Sequence, residues 1–284
     1  MPDYQPCDSE NLAARDHPDS LISHFSITSA VKDIEISEMR RIDLEGATII
    51  DGFPSVGLVS SIATNYIIKL LSMQEIGVMD SDGFPHVTLV RDAVPLSPVR
   101  IYAGDRTKKG DLLVAFVSEF QSSPDMIRPI SKVLIDWAIE NRCKMIISPE
   151  GLVVDPELKE KEELSKAIFA IGSTDHAREI IHRGHFQTFD EGVITGVAGM
   201  LLIEGLARDF DVITLLAEAH PDFPDAGAAA LVLQAIDDLV LGIKLDAEPL
   251  FIEAQNIETR LKDIQAQAIQ KVMPKSQAKP SMYG

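Results

Sequence analysis

Apolar positions along this chain gather into short continuous runs separated by stretches of helical spacing. Such runs suit strands buried on both faces, and the stretches between them suit covering helices. The first run, Ala47-Thr48-Ile49-Ile50-Asp51, is followed by Gly52-Phe53-Pro54 and by Val56, Val59, Ile62, Ala63, Tyr66, Ile67 and Leu70 at helical intervals. A strand, a tight turn and a helix are predicted there. Next, HVTLV and VRIYAG, separated by the proline-bearing segment 92–98, read as a hairpin. DLLVAFVSEF predicts a buried strand. Ser123 and Pro124 then open a helix through Ile127, Ile130, Leu134, Trp137 and Ala138, with a serine cap and a proline at its first position.

CKMIIS predicts another strand, and the charged stretch 153–166 a solvated excursion at the rim. AIFAIGS and a helix over 174–182 restart the alternation, and GVITGVAGMLLIEGLARDF, DVITLLAEA and DAGAAALVLQAIDDLVLGI continue it as helix, strand and helix. The fold class expected is α/β: a mostly parallel sheet covered by helices on both faces, with antiparallel edges near residues 86–103. Ile49, Ile50, Val114, Phe116, Ile146, Ile147, Ile213 and Leu215 are expected as buried strand residues.

The ends differ from this body. Residues 1–25 are polar and aperiodic, with three prolines, and predict a disordered leader. The α/β domain is expected over 26–246. After it, Leu250, Ala254, Ile257, Leu261, Ile264 and Ala268 follow a heptad-like spacing. An amphipathic helix over 247–272 is predicted, either docked on its own domain or packed against other copies through Leu250, Ile257, Leu261 and Ile264. Residues 273–284 have no apolar period and predict a flexible tail. The nine residues 273–281 would span at most roughly 30 Å at about 3.3 Å each.

Charge narrows the function classes. With 44 acidic residues against 26 basic ones the chain carries a formal charge of −18. An anionic nucleic acid would be repelled, and Lys108-Lys109 and Arg40-Arg41 are too small to form a basic face. No apolar h-region opens the sequence and no apolar run approaches a membrane span, so a soluble, cytoplasmic protein without a membrane partner is expected. The two cysteines, Cys7 and Cys143, fit a reducing compartment.

Candidate chemistry is sparse. The DGFPSVG turn precedes a helix N-terminus but lacks the GxGxxG and GxxxxGK[ST] spacings, so it reads as a structural turn. In that reading Gly52 supplies unusual backbone angles, Pro54 stiffens the entry and Gly57 lets the helix pack closely. His182 and His185 flank Gly184 at a helix end, a poor geometry for a shared metal. His220 follows a strand and reads as a loop histidine. Ser148-Pro149-Glu150-Gly151 lacks the GxSxG elbow and an accompanying base. No catalytic set, metal site or cofactor is expected.

The terminus Met282-Tyr283-Gly284 stands on a tail with Lys271, Lys275 and Lys279 and no acidic residue after Asp263. Three features together resemble the proteasome assembly chaperone family of the PAC2 type, in particular its archaeal members. They are the block ATIIDGFPSVGLVSSIATNYII with its GFP-x-x-G turn (Gly52, Phe53, Pro54, Gly57), the block from Gly192 to Asp246, and the terminal MYG. The resemblance covers residues 30–284. It implies an architecture related to nucleoside phosphorylases without known catalysis, and a homo-oligomer that presents its tails to the α-subunits of a 20S proteasome. By the same resemblance Met282 would enter an apolar pocket between α-subunits, Tyr283 would pack at its mouth and the Gly284 carboxylate would pair with a pocket lysine. The competing reading is a nucleoside- or nucleotide-handling enzyme, supported by fold analogy alone.

Overall fold

The computed structural model describes residues 34–104, 112–153, 167–221, 223–243 and 252. Their centre is a nine-stranded sheet in the order β1-β3-β6-β7-β2-β8-β11-β9-β10. The strands are β1 (Ile34–Glu38), β2 (Thr48–Gly52), β3 (Gln74–Ser81), β6 (Val99–Gly104), β7 (Leu113–Ser118), β8 (Met145–Leu152), β9 (Ile168–Gly172), β10 (Gln187–Thr188) and β11 (Val212–Glu218). A separate ribbon pairs β4 (Leu89–Arg91) with β5 (Val94–Leu96). The helices are α1 (Val59–Leu70), α2 (Pro124–Glu140), α3 (Asp175–Arg183), α4 (Gly196–Arg208) and α5 (Ala226–Ile236), the last prolonged by a π-helical turn, Asp237–Leu241.

The four central strands β7, β2, β8 and β11 are parallel, and their side chains are buried almost throughout. Apolar runs without alternation demand this two-sided burial. All eight strand residues expected to be buried are fully so. Helices α1, α3 and α5 cover one face through Ile62, Ala177, Ile181 and Val232, while α2 and α4 cover the other through Met126, Ile130 and Leu201.

The sheet is mixed rather than mostly parallel. β1, β3 and β6 join antiparallel on one side, and β9 runs antiparallel to β11 on the other. Their registers depend on partners distant in the chain, which local apolar runs do not reveal. The hairpin expected between residues 86–90 and 99–104 does not form. Instead β4 turns into β5 through Asp92 and Ala93, both with positive φ (51° and 62°) as a tight two-residue hairpin requires, and β6 enters the main sheet between β3 and β7. Ser148 to Gly151, read as following a strand, lie within β8, which pairs with β11 as far as Leu152. Pairing with β2 ends at Ile147, shortly before Pro149, which has no N–H to donate.

Two local expectations change role. Ser123 does not cap α2 by accepting a hydrogen bond; its hydroxyl donates to Asp125 Oδ1 at 2.6 Å, leaving Pro124 as the start signal. The unusual backbone angles of the turn belong to Gly57 (φ 60°) and Leu58 (φ 53°), not to Gly52. Gly52 is small for another reason: a Cβ there would lie 2.5 Å from Phe116 O and 2.9 Å from the Thr64 side chain on α1. Gly52→Ala should therefore cost about 2–3 kcal/mol, read as a lower urea midpoint, because backbone and a packed helix must both move. An unchanged midpoint would show that α1 can shift freely.

The expected leader 1–25, the rim segment 154–166 and the tail 273–284 lie outside the described residues. So do the seam residues Leu250, Ile257, Leu261 and Ile264, and Met282, Tyr283 and Gly284. Within the expected helix 247–272, Ile252 alone is described, as a helical and exposed residue.

Candidate functional site

Helix α1 leaves the end of β2 toward one face of the sheet, and α2 leaves neighbouring β7 toward the other. Adjacent strands whose helices part in this way open a crevice at their carboxyl ends, where α/β folds bind ligands. A cleft of about 310 Å³ occupies this position. It is lined by the turn Pro54 to Leu58 after β2, Gln121 before α2, Glu150 near the end of β8, Thr195 and Gly196 at the start of α4, and Pro221, Phe223 and Pro224 after β11.

The turn that forms one wall is held from below. Asp51 Oδ1 accepts the Phe53 N–H at 3.0 Å, and the Asp51 carbonyl accepts the Ser60 hydroxyl of α1 at 2.6 Å. After Phe53, itself buried, and Pro54, the chain makes a 3-10 turn at Val56–Leu58, where Gly57 and Leu58 both have positive φ (60° and 53°). Gly57 is tied across the cleft: its carbonyl accepts the Asp225 N–H at 2.7 Å, and a Cβ on it would come within 3.0 Å of the His220 carbonyl. The four positions of the GFP-x-x-G motif thus belong to one wall, with Gly52 at its root and Gly57 at its point of closest approach to the β11–α5 loop.

Three residues of two strands meet behind this wall. Asp51, Ser148 and Glu150 are buried, and the Ser148 hydroxyl donates to Asp51 Oδ2 at 2.6 Å. Glu150 Oε1 accepts the N–H groups of Gly151 at 2.9 Å and Val56 at 3.3 Å. Burial pushes the Asp51 carboxyl up to about 6, against the pull of its hydrogen bonds from Ser148 and Phe53. Burial pushes Glu150 up to about 8, and the nearby Asp51 charge adds to the rise. Ser148 is completely enclosed, which keeps its oxygen from attacking any molecule in the cleft.

The other candidate groups lie elsewhere. His182 and His185 are exposed at the end of α3, and among the described residues no group of three or more His, Cys, Asp or Glu is placed to hold a metal. His220 stacks on Phe223 with ring centroids 4.6 Å apart, so it supports a cleft wall. Cys143 is a buried free thiol pushed up to about 12 by burial, which makes it a poor nucleophile. Among the described residues no helix is long and apolar enough to cross a membrane.

A mixed α/β sheet with a glycine turn and an open crevice defines a fold and a place for contacts, and comparison supplies the kinship. The model of the PAC2 family matches residues 49–265, and the chain belongs to that family. It is 30% identical over 253 residues to the uncharacterized protein MJ0106 of Methanocaldococcus jannaschii, covering 89% of this chain and 99% of that one. Pyrococcus furiosus PbaA, described as an archaeal homolog of proteasome-assembly chaperone, superposes with a TM-score of 0.71 at 26% identity, covering 85% of this chain and all of that one. Pyrococcus furiosus PbaB, described as an archaeal proteasome activator, has the same fold, with a TM-score of 0.66 at 24% identity over 82% and 99% of the two chains.

Proposed function

We propose that this protein is a proteasome assembly chaperone or ATP-independent proteasome-binding adaptor, acting by binding rather than by catalysis. The observation that carries the reading is the likeness to PbaA over the whole of that chain, within a family that the sequence independently shares. The contact expected is the terminal Met282-Tyr283-Gly284, docked on the α-subunits of a 20S particle. A chain-terminal carboxylate is an anion that internal segments cannot imitate, and its bond to a lysine ammonium is short and directional. Three residues make a small contact. A homo-oligomer presenting several tails would gain through effective concentration, so self-association belongs to the proposal.

Pull-down of purified 20S proteasome from the source organism tests it. Deleting Met282 to Gly284, or changing Tyr283→Ala, should abolish or severely weaken capture while the thermal midpoint stays unchanged. One residue added after Gly284 should do nearly as much harm by displacing the carboxylate. Capture by all three variants at the level of the parent chain would refute tail docking.

A further inference from the structure

The crevice at the carboxyl ends of the central strands is not needed for docking through a tail, yet its chemistry is specific. Among the described residues lining it, Glu150 is the ionisable one, and none of them is a lysine, arginine or histidine. Among the described residues the Glu150 carboxyl is met by donors: the N–H groups of Val56 and Gly151 and the hydroxyl of Ser55. These donors suit a carboxylate, because a protonated carboxyl would need an acceptor for its own hydrogen. The cradle therefore fits the charged form, while burial keeps that form from developing. Among the described lining residues no positive charge faces it. Phe223, half exposed and backed by the His220 ring, offers an aromatic face on the same cleft, and such faces attract cations. The whole chain, at −18, favours the approach of cations and opposes that of anions.

We propose that this cleft binds a small organic cation, whose ammonium or amidinium group pairs with Glu150 while its flat body lies along Phe223. The volume of about 310 Å³ suits a molecule of a few to a dozen heavy atoms. Binding ionises Glu150, so a proton leaves as the cation enters. Charged groups on the surrounding elements bias this step. β2 brings Asp51, whose charge resists ionisation of Glu150 and attracts the ligand. The turn 53–58 and the start of α4 bring no titratable side chain. Among its described residues the β11–α5 loop brings His220 and Asp225, the latter engaged by the N–H groups of His220 and Ala228. The loop after β7 brings Glu119, which is paired with Arg100.

Isothermal titration with three probes of nearly equal shape tests the charge requirement: benzylamine, benzyl alcohol and benzoate. Near neutral pH, benzylamine should bind about ten-fold or more tighter than either other probe. Its heat in two buffers of different ionisation enthalpy should reveal release of about one proton, since Glu150 starts largely protonated. Glu150→Gln, which keeps an oxygen for the Val56 and Gly151 N–H groups, should weaken benzylamine about ten-fold and abolish proton release. Phe223→Ala should weaken it while leaving proton release intact. The proposal fails if benzoate or benzyl alcohol binds as tightly as benzylamine, if folded Glu150→Gln binds it unchanged, or if none of the probes binds. None of these outcomes bears on proteasome capture, so the two readings stand or fall separately.

Discussion

Arg100→Met should destabilise the protein by about 3–5 kcal/mol, enough to lower the thermal midpoint by roughly ten degrees in a domain of this size. Arg100 is the largest of the fully buried side chains among the described residues. Its guanidinium donates to Glu119 Oε1 at 2.5 Å, to the Tyr102 hydroxyl at 2.8 Å and to the Ser97 carbonyl at 2.8 Å. Burial works against the charge, but Glu119 and the hydrogen bonds with it and Tyr102 outweigh burial, so Arg100 is held charged. Methionine would fill much of the space and leave the Glu119 carboxylate, 4% exposed, facing an apolar neighbour. Arg91, half exposed and 3.8 Å away, is too far from Glu119 to replace the Arg100 hydrogen bond.

The double variant Arg100→Met/Glu119→Gln removes the stranded charge and should regain at least half of the loss. Urea unfolding of the parent, both single variants and the double variant closes the cycle. If the single and double variants lose equally, the cost arises from volume rather than charge. The network also adjoins the loop that lines the cleft through Gln121. The Glu119 N–H donates to the Pro98 carbonyl at 3.0 Å, so ion pair and backbone bond together fasten the base of the β4–β5 ribbon to the loop that carries Gln121.

Strands β2, β7, β8 and β11 were legible because two-sided burial writes itself as unbroken apolar runs such as LVAFV and MIIS. β1 and β3 were not. Glu35, Glu38, Gln74, Glu75 and Asp80 interrupt them, Gly77 sits at a register shift, and each is a strand because of its partner across the sheet. The turn after β2 could be read as a turn, since Gly52-Phe53-Pro54 is local. Its glycines exchanged roles because close approach to Thr64 and His220 is a tertiary fact. The carboxyl pair was missed for the same reason: Ser148 meets Asp51 across 97 positions of sequence. A signal was present in two acidic residues, Asp51 and Glu150, placed at the ends of apolar strands where burial was already expected. Sheet order turns those two letters into one site.

The same pair should make stability fall as pH rises. Glu150 is raised from 4.5 to about 8 and Asp51 from 3.8 to about 6, so the folded state holds these protons more tightly than the unfolded chain. Their contribution is fully present below about pH 4 and is lost progressively until Glu150 has ionised near pH 8. Each unit of difference corresponds to about 1.4 kcal/mol, and the loss over this window is on the order of a few kcal/mol once the coupling of the two carboxyls is allowed for. Glu150→Gln cannot ionise and still offers an oxygen to Val56 and Gly151. It should match the parent near pH 4 and exceed it by a few kcal/mol near pH 9, with the gap opening between about pH 4.5 and 8. The many exposed carboxylates titrate alike in both proteins, so the difference isolates this one group. Urea midpoints across that range measure it. A constant gap would mean that Glu150 enters the fold already charged, and a gap that narrows with rising pH would reverse the sign of the argument.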